Sequence, residues 1–231
     1  MAALALIRER VKQCEADDVA ILCCPEGILG GLADYSADQM LIAIATRRIA
    51  SVLAPLASDA VTTIVGFTEL GDDGALYNSA AVLHRGTIAG VYRKQHPAIR
   101  RSVYAAGTET PVFHLNGVTF GIVICYDSNF SEPARQVAEQ GALVLFVPSN
   151  NGLPRLRACE EIAAQARQCD VARAIENRMW VVRADVAGES GDLVSAGASA
   201  IVRPGGSVML AAQPFSEDFL VVNLDHADSR T

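Results

Sequence analysis

Three residues of reactive type each fall where a run of branched apolar residues stops. Cys125 follows Val118 to Ile124, Glu26 follows Val19 to Cys24 and Pro25, and Lys94 follows the run Thr87 to Tyr92 and Arg93. A thiol at the end of a buried strand, just before a helix start, sits where backbone N–H groups point outward and favour negative charge. A free thiol, with a pKa of about 8.5, needs a base to become the attacking thiolate. A carboxylate in an apolar setting can have its pKa raised towards that task. A lysine held nearby supplies a fixed positive charge for a developing oxyanion and holds thiolate and carboxylate together against their repulsion. The three types therefore fit acyl transfer to sulfur. Each also has a bland reading. Glu26 could cap a helix or face water, Lys94 could share a solvated surface with Arg93, and Cys125 could be a core thiol. Pattern alone leaves both sets open.

The elements that must position these residues can be read from hydrophobic period and turn chemistry. Residues 2–16 carry Leu4, Ile7, Val11 and Cys14 at helical spacing, with Arg8, Glu9, Lys12 and Gln13 opposite. Val19 to Cys24 is a short buried strand, ended by Pro25. Ser36-Ala37-Asp38-Gln39 is a capping-box pattern that predicts one long helix from about Ala37 to Leu53. Strands follow at Val61 to Phe67, then Tyr77 to His84 and Thr87 to Tyr92, a hairpin across Arg85-Gly86. After a loop from Gln95 to Thr110, strands Pro111 to Leu115 and Val118 to Ile124 are joined by Asn116-Gly117, a strong two-residue turn signal. A helix over Glu132 to Gln140, an apolar strand Ala142 to Val147, a loop Pro148 to Pro154 and a long helix Arg155 to Arg178 come next. The C-terminal part reads as strands Trp180 to Ala184, Ser199 to Arg203, Ser207 to Ala211 and Phe219 to Leu224, the middle two joined by Pro204-Gly205-Gly206. About eleven strands and four helices predict an α/β chain with two sheets packed face to face and helices outside.

The 231 residues fit a single domain over 1–231, and 51% hydrophobic against 19% charged residues allows a large core. A net charge of −7 argues against nucleic acid or an anionic membrane as partner and favours a small molecule. No apolar run approaches the roughly 20 residues of a bilayer span. The first ten residues have no basic region ahead of their apolar patch, so a cytoplasmic location is expected. The six cysteines then read as reduced thiols. No C-x-x-C pair occurs and the four histidines show no ligand spacing, so no metal is expected.

Cys23-Cys24-Pro25-Glu26, Tyr92-Arg93-Lys94-Gln95-His96, and Cys125-Tyr126-Asp127 with Phe130 and Glu132 resemble the three catalytic blocks of the nitrilase superfamily, carbon–nitrogen hydrolases with a Glu-Lys-Cys triad. Arg173-Ala174-Ile175-Glu176-Asn177 and the stretch Ala198 to Gly206 are similar to two further family segments. The blocks stand in the family's order, and the similarity runs from about residue 1 to residue 224.

That resemblance implies a four-layer α-β-β-α sandwich of the nitrilase type with two mixed sheets, and pairing into a homodimer or larger homo-oligomer. It implies that Cys125 attacks a small linear amide or carbamoyl compound, or less often a nitrile, and passes through a thioester. Glu26 would be the general base, and Lys94 with the backbone N–H of Tyr126 would stabilise the oxyanion. No cofactor is implied. Asn129 and Asn150, after strand ends, are candidates for substrate binding, with Asn151 beside them; simple loop caps are the alternative. His96 is expected to position rather than react, and Arg173, Glu176 and Asn177 to form a buried polar network.

The chain also departs from the family pattern. It starts in a helix, so the family's first strand is expected to be missing or supplied differently, as a truncated start would leave it. No glutamate follows Lys94 closely, where Arg100 and Arg101 stand instead, and Gly30-Gly31 replace a common aromatic. Two other functional classes stay open. Cys125 could pair with His96 or His114 as in glutamine amidotransferases, although no Gly-x-Cys-x-Gly elbow surrounds it. The chain could also be a binding relative without catalysis, or an acyl transferase on the same fold.

Overall fold

Alternate residues along the strands belong to different apolar layers, and this alternation sets the architecture. The computed structural model describes residues 2–154 and 158–224. Helix α1 (Ala2–Ala16) buries Ile7, Val11 and Cys14 at helical spacing and leads to strand β1 (Ile21–Cys23). A short helix α2 (Gln39–Ile42), a two-residue strand β2 (Ile44–Ala45) and helix α3 (Ile49–Leu53) precede three long strands. These are β3 (Thr62–Leu70), β4 (Leu76–His84) and β5 (Thr87–Arg93). The first sheet has the order β1-β3-β4-β5, with β2 also paired to β3.

The second half supplies β6 (Val112–Leu115), β7 (Val118–Ile122), helix α4 (Ser131–Glu139), β8 (Val144–Ser149), a two-residue β9 (Leu153–Pro154) and the long helix α5 (Cys159–Asn177). Strand β10 (Trp180–Asp185), a small excursion of β11 (Gly188–Ser190) and β12 (Leu193–Ser195), then β13 (Ala200–Val202) and β14 (Val208–Ala211) complete it. The second sheet runs β14-β13-β10-β8-β7-β6, and β11, β12 and β9 form a three-stranded flap. Both large sheets are mixed: β1 is parallel to β3, and β7, β8 and β10 are parallel, while the hairpins are antiparallel.

Three apolar layers hold this together. Val65, Ala81 and Leu83 pack on α1 and α3, whereas their neighbours Ile64, Ala80 and Val82 face Phe120, Phe146 and Trp180 of the second sheet. Leu145 and Val147 pack instead on Val137 of α4 and Ala174 of α5. A period of two along each strand thus gives helix, sheet, sheet, helix. The expected four-layer α-β-β-α sandwich with two mixed sheets is what forms. Both predicted hairpin turns have positive φ at each central residue, 47° and 74° at Arg85-Gly86 and 51° and 74° at Asn116-Gly117, as a type I′ turn demands.

The single helix predicted from Ala37 to Leu53 is broken. Asp38, not Ser36, caps α2, accepting from the N–H groups of Met40 and Leu41, and Ala43 is extended. Ile44-Ala45 then pair with Glu69-Leu70, and Thr46 donates to Glu69 Oε1 at 2.6 Å. Pairing with the end of β3 outcompetes helix propensity here, and Leu41 is left 82% exposed. The expected strand Phe219–Leu224 also forms no ladder. Its side chains do alternate, Phe219 towards the helical layer and Leu220, Val222 and Leu224 towards the intersheet layer. A cavity of about 120 Å³ lies between Phe219-Leu220 and Ile21 to Cys23, and among the described residues the segment pairs with no strand. Among the described residues β1 is paired on one side alone, with β3. The long helix begins at Cys159, and Arg155 to Arg157, predicted to open it, lie outside the described residues. In its last turns Arg173 is buried, but its partner Glu176 is exposed, so the network expected there is a local contact of the helix surface.

Candidate active site

Glu26, Lys94 and Cys125 come from three strand ends on two different sheets. Glu26 follows β1, Lys94 is the residue after β5, and Cys125 lies three residues past β7. Strand alternation sends Arg93 and Lys94 to opposite sides. Arg93 reaches outward to Glu69 with two hydrogen bonds of 2.9 and 2.7 Å and lies over the Tyr77 ring. Lys94 turns inward, 3% exposed, and its Nζ donates to Glu26 Oε1 at 2.6 Å. The reading of Lys94 as a solvated surface charge is excluded by that burial.

Glu26 is itself buried and takes three donors. Asn78 Nδ2 joins Lys94 on Oε1 at 2.7 Å, and the backbone N–H of Asn150 donates to Oε2 at 2.8 Å. The carboxyl is therefore fixed from both sheets. Burial works against the Lys94 charge, but the acidic groups that face it, Glu26 foremost, together outweigh burial, and its pKa ends above the ordinary lysine value. Lys94 stays a fixed cation.

Cys125 adopts φ of 47°, left-handed for a residue with a side chain, which costs roughly 1–2 kcal/mol. The strain is maintained by the 3-10 turn Cys125–Asn129 that starts there. Asp127, fully buried, holds the turn by accepting from the Ile124 N–H at 3.0 Å, and it accepts from Tyr92 Oη at 2.8 Å and the His96 N–H at 2.7 Å. His96 Nδ1 is 3.1 Å from the same carboxylate, and its ring stacks on Phe130 at 3.8 Å. Asp127 thus ties the strand end that carries Lys94 to the turn that carries Cys125, and His96 is held against the same carboxylate.

Beneath the turn lies a buried ion pair. Arg183 of β10 grips Asp170 of α5 through Nε and Nη2 at 2.7 and 2.6 Å, and also donates to the hydroxyls of Ser128 and Ser149. Burial, and then the Glu26 charge, push the Cys125 thiol up to about 12, against the opposing pull of Lys94 and Arg183. The resting group is therefore a neutral thiol. Its Sγ donates to Asn151 Oδ1 at 3.4 Å.

Cys125 opens onto a cavity of about 410 Å³, a size suited to a small molecule. Its walls are apolar at Tyr35, Ile99 and Ile162, and polar at Asn129, Asn151 and Gln165. Asn129 is exposed there. Asn150 lines the same cavity, but its side-chain oxygen accepts from the Gly152 N–H, and its own N–H holds Glu26. Asn78, Arg183 and Asp185 are site residues that sequence reasoning did not single out. A charged pair inside the buried run Trp180 to Asp185, and an asparagine amid the apolar run of β4, are the signals that could have found them. Among the described residues no cluster of three histidine, cysteine or acidic side chains could hold a metal ion, and no helix is long and apolar enough to cross a membrane.

Comparison with known proteins identifies the family. The family model described as carbon-nitrogen hydrolase matches residues 2–231. An (R)-stereoselective amidase of Pseudomonas sp. is 31% identical over 201 residues, 85% of this chain and 70% of that protein. Glutamine-dependent NAD+ synthetase from Acinetobacter baumannii superposes with a TM-score of 0.83 at 23% identity; the match covers 99% of this chain but 43% of that one. A glutamine-for-glutamate mutant of the amidase from Nesterenkonia sp. AN1 shows covalent addition of the acetamide moiety of fluoroacetamide at its active-site cysteine. That structure matches with a TM-score of 0.74 at 23% identity, over 92% of this chain and 81% of the other. The chain belongs to the carbon-nitrogen hydrolase family, within the nitrilase superfamily.

Proposed function

We propose that this chain hydrolyses the C–N bond of a small linear amide or carbamoyl compound through a thioester on Cys125. The observation that carries the reading is the 2.6 Å Lys94–Glu26 pair, buried beside a strained, neutral thiol at the floor of a small cavity. A thiol with a pKa of about 12 is scarcely ionised at neutral pH, so its proton must leave as the S–C bond forms. Glu26 accepts that proton. Lys94 and the Tyr126 N–H, which the first turn of the 3-10 segment leaves without an intrahelical acceptor, stabilise the oxyanion. Glu26 returns the proton to the departing nitrogen, then activates the water that cleaves the thioester. Asn129 and Asn151 are the polar groups available to orient the substrate, with Asn150 acting through its hold on Glu26.

A panel of small amides, ω-amides, carbamoyl compounds and nitriles, followed by intact-protein mass spectrometry, tests this. Wild type is expected to carry an acyl adduct on Cys125 with at least one amide. Cys125→Ala should carry none, and Lys94→Gln should lose roughly 10³-fold in rate while remaining folded by circular dichroism. Activity that survives in Lys94→Gln but not in His96→Ala would replace the triad with a Cys-His pair.

A further inference from the structure

Asn151 stands where β8 has just ended, and its amide is held in one orientation. Its backbone N–H donates to Asp185 Oδ1 at 3.1 Å, and its side-chain Nδ2 donates to Asp185 Oδ2 at 2.8 Å. Asp185 is itself buried at the end of β10, and Oδ2 also accepts from the Ala198 N–H at 2.8 Å. Burial pushes the Asp185 carboxyl up, opposed by Arg183 and by the hydrogen bonds from Asn151 and Ala198. A flipped Asn151 would press its oxygen against a carboxylate oxygen, so the NH₂ group must face Asp185. The oxygen is therefore forced to face Cys125 Sγ, 3.4 Å away, on the wall of the cavity. It can only accept.

In the resting site that oxygen is occupied by the thiol proton. Attack changes this: Sγ bonds to the acyl carbon, its proton passes to Glu26, and Asn151 Oδ1 loses its donor. The leaving group is attached to the same carbon that Sγ now holds, one bond beyond the new S–C bond, and so comes within reach of the vacated acceptor. An amide nitrogen offers an N–H there. An ester oxygen offers a lone pair, which leaves Oδ1 unpaired and facing another acceptor. Leaving a desolvated polar group unpaired costs about 1–3 kcal/mol, which corresponds to roughly a 10- to 100-fold change in rate.

We propose that Asn151 reads the N–H of the leaving group and makes the site prefer amides over esters of the same acid, with Asp185 as the positioning residue that fixes its orientation. The inference rests on the Cys125 thioester reading and deepens it. In the step itself the S–C bond forms and the C–N bond breaks, the Sγ proton travels by way of Glu26 to nitrogen, and the amine leaves neutral.

The test compares kcat/KM for butyramide and methyl butyrate, or for the same amide–ester pair of whichever acyl group labels Cys125, on single preparations. The ratio then cancels any loss of folded protein. Asn151→Ala removes both the acceptor that pairs with the amide N–H and the oxygen an ester leaves unpaired, so the amide-to-ester ratio of kcat/KM is expected to fall by roughly 10- to 100-fold. Asp185→Asn, which preserves shape but lets the Asn151 amide flip, should lower the same ratio by a smaller factor, and it carries the test if Asn151→Ala does not fold. Equal loss of amide and ester activity in both variants would overturn the proposal. A wild-type protein that forms no Cys125 adduct with either substrate would remove the thioester reading itself, and this proposal with it.

Discussion

Arg183 and Asp170 meet through two hydrogen bonds of 2.7 and 2.6 Å with both side chains removed from solvent, directly under the turn that bears Cys125. A buried pair of this kind is costly to halve, because the survivor keeps its charge without a partner. Asp170→Ala is expected to destabilise the protein by about 3–5 kcal/mol, read from urea unfolding. Replacing both residues by apolar ones of similar volume should recover much of that loss.

Stability should fall in alkaline solution. Burial first, and nearby acidic groups second, push Cys14 up to about 11 and Cys125 up to about 12; burial and then Cys14 push Cys24 up to about 12. Their unfolded values lie near 9, so between about pH 9 and 12 the unfolded chain releases protons that the folded chain retains. The folded state then binds more protons, and stability declines as pH rises through that window. A urea midpoint that stays level from pH 8 to pH 11 would contradict this assignment.

Asp127 should matter beyond its own size. Asp127→Ala strands the Tyr92 hydroxyl and the N–H groups of His96 and Ile124, at about 1–3 kcal/mol for each buried donor. Asp127→Asn keeps an acceptor oxygen and should recover part of the loss. Parallel measurement of unfolding and of acylation rate is expected to show the rate dropping further than the folded fraction, since the carboxylate links the Lys94 and Cys125 segments.

Gly66 sits against the backbone of Glu26. A Cβ there would lie 2.5 Å from the Pro25 carbonyl oxygen and 2.9 Å from the Glu26 Cα. Backbone atoms cannot yield as a side chain can, so Gly66→Ala is expected to cost about 1–3 kcal/mol and to shift Glu26. Loss of activity in a variant that still gives a wild-type circular dichroism spectrum would be the signature.

Features governed by local rules were legible in the sequence. The Arg85-Gly86 and Asn116-Gly117 hairpins follow from the left-handed backbone their turns need, and the strand ends at Glu26, Lys94 and Cys125 follow from the abrupt halt of apolar runs. Features decided by distant partners were not. The run from Ala37 to Leu53 opens on a capping-box pattern, but only the position of β3 reveals that Ile44-Ala45 will pair with it. Phe219 to Leu224 alternates like a strand, yet alternation cannot supply a neighbouring edge. Arg183 and Asp185 are two charges in one apolar strand, which signals partners without naming Asp170 or Asn151. The buried network assigned to Arg173 and Glu176 belongs instead to Arg183 and Asp170, thirteen residues apart.

Glu26 and Lys94 are carried by one sheet, whereas Cys125, Asn151 and Asp185 are carried by the other. Neither sheet alone owns a reactive centre, so chemistry becomes available only once the two halves have docked in register. A slip of one residue in strand pairing within either sheet would turn that sheet's alternate side chains, Ile64 or Phe146 among them, out of the shared layer. On the proposed Cys125 thioester reading, turnover becomes an internal gauge of correct assembly, because a partly folded chain holds the thiol apart from Glu26 and Lys94.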